Sequence, residues 1–330
     1  MKLQLLVPHW KEDPEEMTPL LDSLKLQQGV SMDDFGVVIV YDGEEATWLP
    51  EAYWTQYYPF TIQFVHVPHG GLSYARNVAL DHATSDYVMF CDADDMFCHM
   101  CGVSIIFREM EKGFDTMSSQ FVEELLDKET GKTIFVQHKN DHTFVHGKVH
   151  RRQYLIDNEI RFDESLLCHE DSYFNVLVQD LAPDPERVKY CPVDFYLWKW
   201  RDGSICRHDP DYLLKTYKDM LKSNAALVAE FERRGRHDGA MFYAVFLIID
   251  SYYMMQTERW TDPKNAHYAE DAYRRLHDHV EKHWAYWREM DPAQRNQIAA
   301  GIRMRYFGQG MPMESMTLGQ WLDKVWLTTT

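Results

Sequence analysis

The sequence predicts an α/β protein: a mostly parallel central sheet with helices on both faces, followed by a C-terminal helical extension. Three observations carry this. Short apolar runs alternate with helical periodicity through the first hundred residues. Two of the runs end on carboxylates, at Asp42 and at Cys91-Asp92-Ala93-Asp94-Asp95. From Asp211 onward the apolar spacing is helical only. A chain of 330 residues has ample length for a core in one large domain or two. The break near Pro210 separates an α/β part, 1–210, from the helical extension, 211–330.

Leu3 to Val7 reads as a buried strand. Asp13 with Glu16 forms a capping-box-like helix start, with Pro14 at the first helical position, and Met17, Leu20, Leu21 and Leu24 share one face. Val37 to Tyr41 and Thr61 to Val67 are the next strands. Gly70-Gly71 leads into a helix whose Ala75, Val78, Ala79 and His82 fall together. Tyr87 to Cys91 is the fourth strand. Two β-rich runs between Phe114 and Gln137 flank a turn at Asp127 to Gly131, and Tyr190 to Trp198 adds a strand. In the extension, Leu214, Tyr217, Leu221 and Val228 line one helix, Met241 to Met255 reads as a buried one, and two or three more follow.

Ligands of such sheets bind beyond the carboxyl ends of the strands, so Asp42 and Asp92 are placed to converge. Closely spaced carboxylates at the end of a buried strand need positive charge, and a hard divalent cation supplies it. That cation can hold a diphosphate. An Asp-rich turn starting a helix would use the same residue types.

Composition sets limits. A net charge of −18 argues against binding a polyanion backbone and makes nucleic acid an improbable partner, although Lys148, Arg151 and Arg152 leave room for a local basic groove. There is no signal-peptide pattern, and the longest apolar stretch, Ala240 to Ile249, is too short to span a bilayer. The expectation is a cytoplasmic protein without a transmembrane segment, any membrane contact being peripheral. Six scattered cysteines argue for reduced thiols, and the lone Cys98-His99-Met100-Cys101 lacks the second pair a structural zinc needs.

Six motifs run in order: Val7-Pro8, Asp42-Gly43, Gly71-Leu72-Ser73-Tyr74-Ala75-Arg76-Asn77, Asp92-Ala93-Asp94-Asp95, His169-Glu170-Asp171 and Trp200-Arg201-Asp202-Gly203-Ser204-Ile205. In this order and spacing the chain resembles family 2 glycosyltransferases of the GT-A fold over roughly residues 1 to 208. The resemblance implies an inverting transfer of a sugar from a nucleotide-sugar donor, a UDP-sugar above others, to an acceptor hydroxyl. It implies Asp92 near the ribose and at the metal, Asp94 as ligand of Mn²⁺ or Mg²⁺, and Asp95 steadying the turn. On an extended segment Asp92 and Asp94 would face the same way.

By the same resemblance Asp42 contacts the uracil ring, Pro8 lines the base pocket and Arg76 lies at the nucleotide, where it could instead only pair carboxylates. An Asp-Gly turn is the plainer reading of Asp42. Asp171 is the implied general base, with Glu170 at the acceptor; capping the helix near Ser172 is the alternative. His208 is a candidate third metal ligand, Arg201 and Arg207 would stabilise the leaving group, and Trp200 with Trp198 would stack on a sugar or pack in the core. His146-Gly147-Lys148 resembles the segment leading to the acceptor side, where a glycine permits close approach.

The implied acceptors are glycans, polyol phosphates, lipids, peptides or small molecules. A first strand without Gly-x-Gly-x-x-Gly excludes a dinucleotide enzyme. The competing reading is a non-catalytic sugar- or partner-binding module on the same scaffold. The aromatic tail with Trp284, Trp287, Trp321 and Trp326 reads as helical core, with homo-oligomer formation as its alternative.

Overall fold

The computed structural model describes residues 1–43, 51–127, 129–201, 209, 211–307 and 317–327. It forms two compact units, Met1–Ser204 and Ile205–Thr330.

The first unit is built on one sheet. Its strands are β1 (Leu3–His9), β2 (Phe35–Asp42), β3 (Thr61–Val67), β4 (Tyr87–Phe90), β5 (Met96–Phe97), β6 (Thr116–Leu126), β7 (Thr133–His138), β8 (Lys148–Arg151) and β9 (Val188–Trp198). The order is β3-β2-β1-β4-β8-β6-β9-β5, with β7 paired to β6. The half made of β1 to β4 is wholly parallel. β8 joins it antiparallel and begins a mixed half, in which only β6 and β9 run parallel.

Every residue of β1, β2 and β4 is buried, as expected of strands covered on both faces. The helices that follow them are α1 (Pro14–Lys25), α2 (Glu51–Tyr57), α3 (Leu72–His82), α4 (Gly102–Lys112), α5 (Arg152–Asp157) and α6 (Glu170–Asp180). The capping box at Asp13 forms: its carboxylate accepts from Glu15 and Glu16, and Glu16 returns a bond to the Asp13 N–H. Met17, Leu20, Leu21 and Leu24 are all fully buried. On α3 the buried face differs from the expected one. Ala75 and Ala79 are on it, but so are Ser73, Arg76 and Asn77, while His82 is exposed. The polar members are there because they bond to other segments. Asn77, for example, donates to the Phe162 carbonyl and accepts from the Phe162 N–H.

Two features position the site. β4 pairs with Leu3 to Leu6 only, so β1 runs on past its end and the chain turns off at Asp92 beside it. Gly147, at φ +65°, lets the turn before β8 approach β6 so closely that a Cβ there would collide with Ser119 Oγ. The neighbour at Gly147 is β6, whereas the sequence suggested a sugar bound close by. No basic groove forms nearby: Lys148 is buried, Arg151 pairs with Asp115 at 2.6 Å, and Arg152 donates to the Ser85 carbonyl.

The second unit contains α7 (Tyr212–Lys215), α8 (Tyr217–Arg233), α9 (His237–Met254), α10 (Glu258–Thr261), α11 (Ala266–Glu289), α12 (Pro292–Phe307) and α13 (Leu318–Leu327). Leu214, Tyr217, Leu221, the apolar stretch of α9 and Trp321 join in its core. Among the described residues no helix is long and apolar enough to cross a membrane, and the five described cysteines are free thiols.

Gly147→Ala is expected to lower the urea midpoint of the first unit by more than Gly131→Ala does. Both have φ +65°, but only the first meets a neighbour, which adds about 1–3 kcal/mol of overpacking to the shared backbone strain.

Candidate active site

The end of β4 delivers Asp92, Ala93, Asp94 and Asp95 as a turn closed by the Asp95 N–H on the Asp92 carbonyl at 3.3 Å. It is not the extended segment the sequence implied, because the chain must leave the sheet there. The three carboxylates therefore go to three different partners.

Asp92 meets Arg76, which α3 carries into the interior: Arg76 Nη2 lies 3.1 Å from Asp92 Oδ1. The other guanidinium nitrogen, Nη1, lies 3.2 Å from Glu170 Oε1 and 2.5 Å from Asp171 Oδ1. One face of Arg76 lies 5.1 Å from the centre of the Phe162 ring. With 2% of its side chain exposed, Arg76 is a buried cation holding three carboxylates from two segments. Burial opposes its charge, but Asp171, Asp92 and Glu170 raise its pKa above the ordinary arginine value.

Glu170 and Asp171 reach Arg76 because His169, the residue before α6, takes the left-handed conformation at φ 62°. That turns both acids, the first two residues of the helix, inward. Asp171 Oδ2 also accepts from the Val145 N–H at 3.3 Å. Burial, opposed by Arg76 and reinforced by Glu170 and Asp92, holds the Asp171 carboxyl up at about 6. Asp92 is also penalised by burial, but Arg76 and then His146 draw it below the usual carboxylate range.

Asp95 is fully buried and accepts from Tyr196 Oη at 2.6 Å and the Lys199 N–H at 2.9 Å, which is the turn-steadying role the sequence gives it. The same Tyr196 oxygen accepts from the Asp92 N–H. Burial, then Asp92 and Asp94, push Asp95 well above the ordinary carboxylate value. Asp94 lies 3.1 Å from Arg201 Nε, and Arg201 also reaches Glu12 at 3.5 Å and Glu16 at 3.9 Å. Burial and Asp92 raise Asp94. Burial raises Glu12 to about 7, with Asp94 adding and Arg201 opposing.

His146 was not foreseen here. Its Nδ1 lies 3.8 Å from Asp95 Oδ2, is buried, and has no hydrogen-bond partner among the described residues. Burial lowers its pKa to about 4, against Asp92 and Asp171. Asp92, Asp95 and His146 each offer one ligand atom within 4.8 Å of the others. The signal was a histidine next to Gly147, a glycine that packs a strand edge against its neighbour; only the tertiary pairing brings it under Asp95. Glu12 was also missed, since in sequence it is one more acid near a helix start.

Pro8 is buried in β1, in register with Val40. Asp42, at the end of β2, is 4% exposed and serves the next loop: Oδ1 accepts from the Gly70 N–H at 2.6 Å, and Oδ2 accepts from the Gly71 N–H at 2.9 Å. Trp200 donates its backbone N–H to Glu124, while Trp198 packs on Phe144 and His146 at 4.9 Å each. Arg207 and His208 lie outside the described residues.

Residues 5–156 match the model of Glycosyl transferase family 2. That segment, just under half of the chain, is what is similar to the family. It is 23% identical over 223 residues to the uncharacterized glycosyltransferase EpsJ of Bacillus subtilis, across 62% of each chain. It is 27% identical over 192 residues to the poly(ribitol-phosphate) beta-N-acetylglucosaminyltransferase TarS of Staphylococcus aureus, across 53% of this chain and 32% of TarS. The matches therefore span less than two thirds of either relative. In three dimensions the crystal structure of TarS 1-349 superposes with a TM-score of 0.62 at 16% identity, over 93% of this chain and 89% of that one. The mannosyltransferase PcManGT of Pyrobaculum calidifontis superposes at 0.51 and 14% identity, over 99% and 85%. These likenesses establish the GT-A fold.

Replacing Arg76 by Met is expected to cost about 3–5 kcal/mol at pH 8, because buried carboxylates lose their counter-ion. The loss should shrink at pH 5, where Asp171 takes up a proton. Denaturant unfolding at the two pH values checks both the size and the sign.

Proposed function

We propose that this chain is an inverting, metal-dependent glycosyltransferase that moves a sugar from a nucleotide-sugar donor, probed first as a UDP-sugar, to an acceptor hydroxyl. The observation that carries the proposal is Asp171: a carboxylate held in place by Arg76 and the Val145 N–H, with its pKa near 6. It is ionised at neutral pH yet basic enough to take a proton.

In the step we envisage, the acceptor oxygen forms a bond to the anomeric carbon while the bond from that carbon to the diphosphate oxygen breaks. The bonding pair leaves with the diphosphate, and the acceptor proton passes to Asp171. Glu170 beside it is buried and bound to Arg76, so its part is to hold the base in place.

A divalent cation fits the donor set. Asp92, Asp95 and His146 provide two oxygens and a neutral imidazole nitrogen, and the His146 Nδ1 lacks a hydrogen-bond partner among the described residues. Asp94 is the further carboxylate on the same turn, turned toward Arg201 here. Bound Mn²⁺ or Mg²⁺ would supply counter-charge for the leaving diphosphate. Related structures support this reading at the level of their own proteins: TarS 1-349 was solved with UDP and with UDP-GlcNAc, and PcManGT with GDP-Man and Mn2+.

The experiment is nucleotide release from a panel of UDP-, GDP-, CMP- and dTDP-sugars with Mn²⁺. Asp171→Asn should keep UDP binding and lose about 100-fold or more in kcat, the scale of a missing general base. Full transfer in that variant rules out the base. For the wild type, kcat/KM should rise about tenfold per pH unit below pH 6 and level off above it, because the base must be deprotonated. Asp94→Asn should lower Mn²⁺-dependent release; unchanged Mn²⁺ dependence removes Asp94 from the metal site.

A further inference from the structure

We propose that the second unit takes one acyl chain of an anionic membrane lipid into the cavity between α9 and α12, with the lipid head group on Arg305. The proposal rests on the helical unit alone and does not depend on the catalytic reading above.

The first observation is the cavity itself. Its volume is about 840 Å³, within the range of about 300–1,000 Å³ that small ligands occupy. Its walls are apolar: Met241, Phe242 and Phe246 on α9, Met290 just before α12, and Ile298 and Ile302 on α12. From Gln294 to Arg305 the α12 wall is a stripe at helical spacing, about 16 Å long at a rise of about 1.5 Å per residue. A long apolar trough of this kind suits a chain of methylenes better than a compact polar molecule.

The second observation is Gly301, midway along that stripe. Glycine is a poor helix former, and here it stands in the interior of α12. A Cβ at this position would meet no described atom within 4 Å, so packing does not require a glycine. Gly239, on the facing wall, is the contrast: a Cβ there would lie 2.8 Å from the Phe231 ring. Gly239 is needed by the fold, whereas Gly301 keeps open a volume that a side chain would fill.

The third observation is charge. In a chain of net charge −18, α12 carries Arg295, Arg303 and Arg305 and no acid. Arg305 lines one end of the cavity with 65% of its side chain exposed. Its ion-pair partner, Asp250, is 4.0 Å away, and among the described residues the guanidinium donates no hydrogen bond. Asp250 is buried and its Oδ2 accepts from Tyr306 Oη at 3.2 Å, so Arg305 keeps donors for a phosphate oxygen. The acid among the walls, Asp238, is at the opposite end, in the first turn of α9, where the neighbouring His237 pairs with Glu289. An anionic head group is therefore directed to the Arg305 end. Phe242 on the wall and Met304 beside Arg305 are both exposed. Exposed apolar groups next to an arginine suit the boundary between head groups and acyl chains, which favours a lipid in a bilayer over a dissolved amphiphile.

The test is co-flotation of the full chain with vesicles of phosphatidylcholine, with and without phosphatidylglycerol. The wild type should bind the anionic vesicles about tenfold better, and less well as salt is raised. Gly301→Met fills the cavity and improves the helix, so it should lose most of the binding while its melting temperature stays the same or rises. Arg305→Gln should weaken binding about fivefold, and Arg303→Gln, at a position off the cavity wall, should weaken it less. Absence of a preference for anionic vesicles overturns the proposal. So does full binding by Gly301→Met, which would make the contact one of surface charge alone. Should Gly301→Met melt early, the arginine pair decides: equal losses in the two variants overturn the cavity, and a loss confined to Arg305→Gln supports it.

Discussion

A buried guanidinium holds the first unit's chemistry together. Arg76 comes from α3, Asp92 from the end of β4, and Glu170 and Asp171 from the start of α6, segments separated by up to 95 residues in the chain. Each of these acids in isolation would be costly to bury, and Arg76 in isolation more so. Together they fix one another, and the geometry this imposes is the placement of Asp92 relative to Glu170 and Asp171. The left-handed His169 and the early end of β4 are local departures that this cluster compensates.

The balance of charge distinguishes this cluster from an ordinary structural ion pair. Asp115 shows the ordinary case. One carboxylate is bonded by two arginines, Arg151 and Arg187, and although burial penalises it, those partners bring it below its usual range. At the carboxyl ends of the parallel strands the ratio is reversed. Arg76 serves three acids, and Asp94, Asp95 and Glu12 are all raised, each by burial first. A fold selected only for stability gains nothing from that surplus. A surplus of negative charge beside a neutral buried imidazole is what a site for a cation or a cationic transition state requires.

Much of the fold was legible because its signals are local. The fully buried strands appear as unbroken apolar runs, and the Asp13-Glu16 box and the β6–β7 turn follow from residue chemistry at fixed offsets. Asp92, Asp171 and Arg76 could be named because their motifs are contiguous in the chain. What could not be read depends on pairings across the sheet. Periodicity put His82 on the buried face of α3 and left Arg76 and Asn77 off it, since helical spacing ranks residues by polarity and cannot see their partners. His146 meets Asp95 only because β8 enters the sheet beside β4, antiparallel, and no spacing in the sequence announces that.

The acidic motif illustrates the same limit and also what the fold makes of it. Had Asp92 to Asp95 continued β4, alternation would have stacked Asp92 and Asp94 on one face and sent Asp95 to the other. As a turn, the motif distributes three adjacent charges to three environments: Asp92 to Arg76, Asp94 to Arg201, and Asp95 to Tyr196, the Lys199 N–H and the edge of His146. The three remain electrostatically linked, since, beyond the effect of burial, Asp92 raises Asp94 and both raise Asp95. A motif that reads in sequence as one metal-binding unit is, in the folded chain, a junction between Arg76 and Arg201.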